Sequence, residues 1–389
     1  MNDTIKRNKI CDIITQETKG KSYKAHKYSL DATARPTLDY NNNENVWKKT
    51  AETTTYRQHR NLQDLCSNIA KRDSQILTYF LDGSRRVFKV DDQAFYSGTR
   101  SLIYPIVAGQ IGVGCCRRTN KVVTPEKFKQ EFVLSMPKVA DPSGNRPGFF
   151  PAMVQTLNDS EELKRMNIKF SAILPYETSK NEEKQFVDRA TACIQDRMIE
   201  LEKELVAELV RENKLGQDNY LVKDGSLEYS PTKFDKKDKR SYQTFKNNYA
   251  WVLGVSKNFN PESCKDVSGK PNPGFIADLP LYHRTPVACY ENPYLGDIQF
   301  AVWYIRIRDQ RRTRTPFDGI LKVEKILADE KDIIDSELVD LLSAHLINER
   351  NPVCYGADLR WANHIYPIYL TESFVKSRYL STESFLHLF

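Results

Sequence analysis

ILTYFLDGS occupies residues 76–84, and YLVKDGSL occupies residues 220–227. Each stretch places Asp-Gly-Ser directly after a run of aliphatic and aromatic residues that is typical of a strand. Between them, residues 182–212 carry apolar side chains at steps of three and four, which predicts a long helix that stops before Gly216. A helix that connects two strands at one sheet edge makes the strands parallel. The sequence therefore predicts an α/β fold in which both Asp-Gly-Ser elements reach the same side of one sheet.

The first Asp-Gly-Ser also has a purely structural interpretation, because Asp-Gly is a favoured two-residue hairpin turn. Strands predicted at 76–81, 87–90 and 102–113 would form an antiparallel meander, with a tight hairpin at residues 82–84. The segment 119–181 contains Pro and Gly and is expected outside the central sheet. Further strands are expected at 220–222, 250–257 and 300–307. Helices are expected at 335–348 and from about Thr371.

Length and composition favour a globular protein with a large core. With 389 residues and 40% hydrophobic content, the chain is expected to form one elaborated domain at 75–389. Residues 1–74 are predicted to be an N-terminal extension, helical around 57–71, and 258–297 a second insertion. No apolar run reaches the roughly 18 residues of a membrane span and no signal peptide is recognisable, so we expect a cytoplasmic protein. The eight cysteines form no Cys-x-x-Cys pair, which argues against a zinc site.

Two aspartates at neighbouring strand ends would repel each other, and a divalent cation relieves such repulsion. Oxygen ligands favour Mg²⁺ or Mn²⁺, so Asp82 and Asp224 are candidate metal ligands. A third carboxylate should come from the crossover helix, about 20–22 residues before Asp224 given the rise of a strand and a helix. That window contains Glu202 and Glu204, and Glu202 is preferred because it flanks the apolar face. Glu208 lies too far along the helix, and any of these glutamates could instead be a solvated helix charge.

The order of these motifs resembles the NurA nuclease family. LDGS at 81–84, the acidic helix, LVKDGSL at 221–227 and GVSK at 254–257 carry the resemblance, which covers roughly residues 75–380. It implies an RNase H-like mixed sheet flanked by helices and Mn²⁺- or Mg²⁺-dependent exonuclease and endonuclease activity on DNA. It also implies a homodimer that docks on a HerA-type hexameric ATPase. The family's metal ligands are carried over to Asp82, Glu202 and Asp224.

The C-terminal motif of the family is matched only in part. Residues 366–372 supply its Tyr-Pro opening, but Phe374 stands where the family often has histidine or aspartate. His364, just before the Tyr-Pro, and Glu372, in the expected first helical turn, are the candidates for this role. His364 could equally be a satisfied polar residue near a turn, and Glu372 a favourable charge at a helix start.

Basic residues near the predicted strands are candidates for binding the DNA backbone. Lys257 ends the GVSK strand and could hold a phosphate, although a lysine at a strand end is exposed by default. Arg311 and Arg312 belong to a basic cluster at 306–314 that suits phosphate contacts or, alternatively, a solvated sheet edge. The net charge of +7 permits a nucleic-acid partner without requiring one.

These features predict phosphodiester hydrolysis with two cations bridged by the aspartates. The chain lacks a G-x-x-x-x-G-K-[ST] loop, so energy for translocation must come from a partner. DNA repair and phage defence are both open as settings. One alternative is a catalytically inactive DNA-binding or scaffold subunit of the same fold. Another is an unrelated nucleic-acid-binding protein in which both Asp-Gly-Ser elements are turns.

Overall fold

The computed structural model describes residues 9–23, 27–32, 46–72, 75–97, 100–142, 148–178, 185–227, 239–266, 268–291, 298–313, 315–327, 333–352 and 361–389. Its strands are β1 (Lys21–Ser22), β2 (Tyr28–Ser29), β3 (Val46–Thr50), β4 (Arg60–Asn61), β5 (Leu77–Ser97), β6 (Arg100–Thr119), β7 (Val122–Pro137), β8 (Phe170–Tyr176), β9 (Tyr220–Asp224), β10 (Val252–Ser256), β11 (His283–Arg284), β12 (Ala288–Glu291), β13 (Gln299–Arg306) and β14 (Ile320–Ile326). Its helices are α1 (Ile10–Thr18), α2 (Gln63–Arg72), α3 (Phe149–Asn158), α4 (Glu161–Met166), α5 (Phe186–Arg211), α6 (Lys239–Tyr249), α7 (Pro273–Ala277), α8 (Ser336–Asn348), α9 (Tyr366–Ser377) and α10 (Thr382–Leu386).

A single mixed sheet organises the described part of the chain. Its strands follow the order β3-β12-β13-β14-β10-β9-β5-β6-β7-β8, and β1, β2, β4 and β11 pair with members of this series. β5, β6 and β7 form an antiparallel meander, whereas β9 runs parallel to β5 and β10 parallel to β9. The helix α5 is the predicted crossover helix that leads into β9, but it starts from β8, at the far end of the sheet, rather than from a strand beside β9. The mixed sheet flanked by helices confirms the predicted α/β fold class.

The predicted hairpin at the first Asp-Gly-Ser is wrong. β5 continues through these residues to Ser97, and Asp82 pairs with Gly114 of β6 in an unbroken ladder. The predicted strands 76–81 and 87–90 are therefore parts of one strand. The tight turn of the meander lies instead between β6 and β7, where Asn120 and Lys121 have φ angles of 50° and 69°. Two successive positive φ values belong to the type I′ turn, whose twist matches that of the strands.

The sheet also includes segments that the sequence placed outside it. β7 and β8 lie within 119–181, and β11 and β12 lie within 258–297. The N-terminal residues contribute β1 and β2 as partners of β5, β3 as the partner of β12 and β4 as the partner of β11. Because these strands are short or carry mixed burial, they lack the continuous apolar run that marks a central strand.

Helices cover both faces of the sheet. α5 packs with Leu81 and Leu221 on one face, while α8 and α9 pack with Phe80 and Val222 on the other. α8 begins directly after its N-cap Asp335, as predicted. α9 begins at Tyr366, earlier than the predicted Thr371, because a proline is well tolerated in the first turn of a helix. The predicted start of α5 near 182 lies outside the described residues.

Candidate active site

The two Asp-Gly-Ser aspartates are neighbours on adjacent parallel strands. Leu81 of β5 lies opposite Lys223 of β9, so the next residues along these strands, Asp82 and Asp224, come side by side. Side chains alternate between the two faces of a strand. Asp82 therefore shares the face of Phe80, and Asp224 shares the face of Val222, which is the face covered by α8 and α9. The sheet brings the two carboxylates together as the sequence predicted.

Glu202 approaches the same point from α5, on the opposite face. Its side chain is 5% exposed and lies against Gly83, where a Cβ atom would be only 2.4 Å from Oε1. Only glycine at position 83 leaves room for the carboxylate to reach β5. The glycine of the first Asp-Gly-Ser thus serves close packing rather than a turn.

Negative charge accumulates around Asp82. Burial raises the pKa of Asp82 well above its ordinary value, and the charges of Asp224, Glu372 and Glu202 raise it further, while Lys257 lowers it. Burial likewise raises the pKa of Glu202, against the opposing effect of Lys223. A buried carboxylate surrounded by other carboxylates is a position that a cation would stabilise.

Two buried lysines neutralise the other carboxylates. Lys223 Nζ lies 3.1 Å from Glu202 Oε2 and also donates to the backbone oxygens of Asp224 and Ser226. Lys257 Nζ lies 2.9 Å from Asp224 Oδ2. Burial lowers the pKa of Lys257, but Asp224 and Asp82 more than compensate and raise it overall, so the ammonium group stays charged. The predicted Lys257 is therefore part of the carboxylate site rather than solvent-exposed.

α9 brings Glu372 to this site. A Cβ atom added to Gly114 of β6 would lie 2.6 Å from Val375 Cγ2 of α9. The helix therefore lies close to the sheet because position 114 has no side chain. Glu372 sits in the second turn of α9 rather than the first, 2.5 Å from Lys376 Nζ. Of the two C-terminal candidates, Glu372 is the one whose charge raises the pKa of Asp82.

The remaining candidates have other surroundings. His364 is buried, and its ring centroid is 5.9 Å from that of Tyr369. Arg311 is 90% exposed and paired with Asp309, while the side chain of Arg312 lies outside the described residues. Within the predicted basic cluster at 306–314, Arg306 is not available to DNA. It is buried and donates to backbone oxygens of the α7 region and the β13–β14 connection.

The alternatives to Glu202 along α5 face outward toward β7. Glu204 pairs with Lys129 and Arg197, and Glu208 pairs with Lys127 and Lys129. Both glutamates have lowered pKa values despite partial burial, because these lysines hold them as carboxylates. The helix-rise argument that preferred Glu202 agrees with this placement.

Sequence reasoning missed Lys223 and the pair Lys322 and Glu324. Lys223 interrupts the apolar run of β9. Because side chains alternate along a strand, Lys223 could have been predicted to share the face of Leu221, which is the face covered by α5. Lys322 and Glu324 occupy alternate positions of the apolar strand β14, and their ion pair is 2.6 Å long. Opposite charges two residues apart in a buried strand were the available signal.

The side-chain types at this site suit a divalent cation, but the side chains are not arranged around a common point. Carboxylate oxygens are the ligands that Mg²⁺ and Mn²⁺ prefer. Among the described residues, however, no three Asp, Glu, His or Cys side chains already form a metal-binding group. The cause is visible in the contacts, since Glu202 turns toward Lys223 and Asp224 toward Lys257.

Comparisons with known proteins gave one solved structure to report. No protein-family model matches the chain. No curated protein matches it. The chain is similar to the crystal structure of the NurA nuclease from Sulfolobus solfataricus, with 12% sequence identity and a TM-score of 0.39, over 81% of this chain and 88% of that one. None of the described helices has the length and apolar character needed to cross a membrane.

Proposed function

We propose that this protein is a divalent-metal-dependent deoxyribonuclease. The observation that carries the proposal is the buried carboxylate of Asp82, with Asp224, Glu202 and Glu372 close enough to raise its pKa. Of these carboxylates only Asp82 has no lysine paired with it in the ion pairs that the described residues form around the site, and a cation would stabilise its charge. The motif order that resembles NurA nucleases supports DNA as the substrate.

Asp82, Glu202, Asp224 and Glu372 would hold Mn²⁺ or Mg²⁺, as two ions. Bound cations of this kind supply an activated water and stabilise the leaving 3′ oxygen. Asp82, Asp224 and Glu372 would orient the cations from the face covered by α9, and Glu202 would reach them from the α5 face past Gly83, which has no side chain in the way. His364, first considered beside Glu372, is the less favoured residue because the structure packs its ring beside Tyr369.

Lys257 would bind the substrate phosphate. Its ammonium group is buried, remains charged and lies at the edge of the carboxylate group, 2.9 Å from Asp224. A phosphate oxygen could take the place of Asp224 as the partner of this ammonium group. Arg311 is exposed enough to contact the DNA backbone, and we propose the same role for Arg312.

A ring-shaped HerA-type ATPase and a second copy of the chain are the proposed partners. The sequence has no phosphate-binding loop of its own, so movement along duplex DNA would depend on such a motor. Co-purification with a neighbouring ATPase, followed by duplex digestion with and without ATP, tests this part. We expect association and ATP-dependent digestion; a rate indifferent to ATP would leave a stand-alone nuclease. Either result is compatible with DNA repair or phage defence.

The ion pairs between lysines and carboxylates support a second candidate function, that of a catalytically inactive subunit. Lys223 and Lys257 already neutralise Glu202 and Asp224, as would suit an inactive DNA-binding or scaffold subunit. Degradation of labelled single-stranded DNA with Mn²⁺, with EDTA and with the Asp82→Asn variant separates the two. A nuclease cleaves only with Mn²⁺ and only with Asp82 intact. DNA binding without cleavage under every condition would favour the scaffold.

A further inference from the structure

The loop that follows Asp224 is hydrogen-bonded to a buried carboxylate of another strand. Glu324 of β14 is 0% exposed, and its Oε2 accepts hydrogen bonds from Ser226 Oγ and from the backbone N–H of Leu227, both at 2.7 Å. Its Oε1 faces Lys322 Nζ at 2.6 Å. Each polar contact of Glu324 is therefore directed either at this loop or at the lysine that keeps it charged.

The backbone around the loop is built for this contact. Gly254 of β10 lies opposite Glu324 in the sheet, and a Cβ on Gly254 would be 2.7 Å from Leu227 Cγ and 3.0 Å from the Gly225 oxygen. Leu227 can therefore fold down over β10 only because position 254 has no side chain. Gly225 adopts φ +87°, a value that favours glycine, while its N–H donates to Val255 O.

The charge state of Glu324 suits the same role. Burial would raise the pKa of Glu324, but Lys322 and the hydrogen bonds from Leu227 and Ser226 outweigh it and lower the pKa. Glu324 thus remains an acceptor. A carboxylate accepts two hydrogen bonds at one oxygen far more strongly than a neutral group does.

We propose that Glu324 is a positioning residue that fixes the Asp224 loop for cation binding. Only Gly225 separates Asp224 from Ser226, so holding Ser226 and Leu227 limits where the Asp224 carboxylate can go. The inference rests on the proposed function, because it assigns Glu324 a role toward the same cation. Groups that orient metal ligands typically contribute about tenfold to 100-fold to metal affinity.

Mn²⁺ binding by the full-length protein provides the test. The midpoint of a Mn²⁺ titration is measured by thermal melting, and the cleavage rate is measured over the same concentrations. Glu324→Leu should raise the Mn²⁺ midpoint by about tenfold or more, with the rate recovering at saturating Mn²⁺. Glu324→Gln keeps an oxygen that can accept the two hydrogen bonds but loses the charge that pairs with Lys322, so its midpoint should lie between those of wild type and Glu324→Leu.

Two further variants separate positioning from general destabilisation. Ser226→Ala removes one of the two hydrogen bonds with little risk to folding, and its midpoint should lie between those of wild type and Glu324→Leu. The matched control is Glu52→Gln, a buried carboxylate that pairs with Arg284 at 2.9 Å, separated from β9 by several strands. It should lower the melting temperature and leave the Mn²⁺ midpoint unchanged.

The outcomes are distinguishable. A wild-type Mn²⁺ midpoint in both Glu324→Leu and Ser226→Ala would overturn the positioning role, as would an equal shift in Glu52→Gln. If Glu324→Leu does not fold, the midpoint of Ser226→Ala decides. A wild-type protein that shows no response to Mn²⁺ would overturn the proposed function itself, and the role of Glu324 with it.

Discussion

A single methyl group at position 83 tests whether Glu202 is built into the site. A Cβ on Gly83 would lie 2.4 Å from Glu202 Oε1 and 3.2 Å from its Cδ. The oxygen must therefore retreat by about 1 Å to reach ordinary contact at 3.4 Å. It cannot do so freely, because α5 buries the side chain and Lys223 holds its other oxygen at 3.1 Å. Gly83→Ala should displace the carboxylate or strain the strand.

Overpacking of this kind typically lowers the free energy of unfolding by about 1–3 kcal/mol. A displacement of about 1 Å in a catalytic group can reduce the rate on the order of 100-fold. Unfolding in urea measures the first effect, and Mn²⁺-dependent degradation of labelled single-stranded DNA measures the second. Gly216→Ala is the matched control, since nothing lies within 4 Å of the added Cβ. We expect it to be neutral in both assays.

A double-mutant cycle assigns the effect to the contact. In a Glu202→Ala background the clashing oxygen is gone, so adding Gly83→Ala should cost much less unfolding free energy than it does in wild type. An equal cost in both backgrounds would place the strain elsewhere. Gly83→Ala that is as stable and as active as wild type would refute the close approach of Glu202 to β5.

Three further predictions concern the carboxylates. Asp82→Asn and Asp224→Asn should each abolish Mn²⁺-dependent cleavage while circular dichroism shows a folded protein; near wild-type cleavage by either variant would refute the two-aspartate site. Glu202→Gln should lose far more cleavage activity than Glu208→Gln, because Glu208 only pairs with lysines of β7; the reverse order would mean a different helix register. The third is a pH dependence. Because the folded state raises the pKa of Asp82 above its ordinary 3.8, it binds that proton more tightly, and the resulting stability is lost as pH rises from about 3.8 through the raised value. In EDTA, the melting-temperature advantage of Asp82→Asn over wild type should therefore grow as pH rises through this window and level off above it, and a constant difference from pH 4 to 8 would argue against the shift.

Local patterns in the sequence were sufficient for the central elements of the site. Apolar runs that end in Asp-Gly-Ser marked β5 and β9, and the crossover helix between them made the strands parallel. Helix and strand rises then selected Glu202 over its neighbours. These features depend on chain geometry over one turn or one connection, and such geometry is the same in every fold.

The extent of β5 could not be read in the same way. Asp-Gly is typical of a hairpin turn, but it also occurs within a strand where glycine leaves space for a side chain from another element. The local sequence is the same in both cases. Pairing with Gly114 and the packing of Glu202 on Gly83 decide between them, and both partners are distant along the chain.

By itself, the sequence determined that β5 and β9 are parallel and that Asp82 and Asp224 lie side by side, because strand connections and side-chain alternation follow from backbone geometry alone. Only the tertiary structure decided how those charges are balanced. Lys223 reaches Glu202, Lys257 reaches Asp224 and Glu324 reaches Ser226, the last across 98 positions of the chain. Such partners carry no shared periodicity, since they meet only after strands from separate regions have joined one sheet.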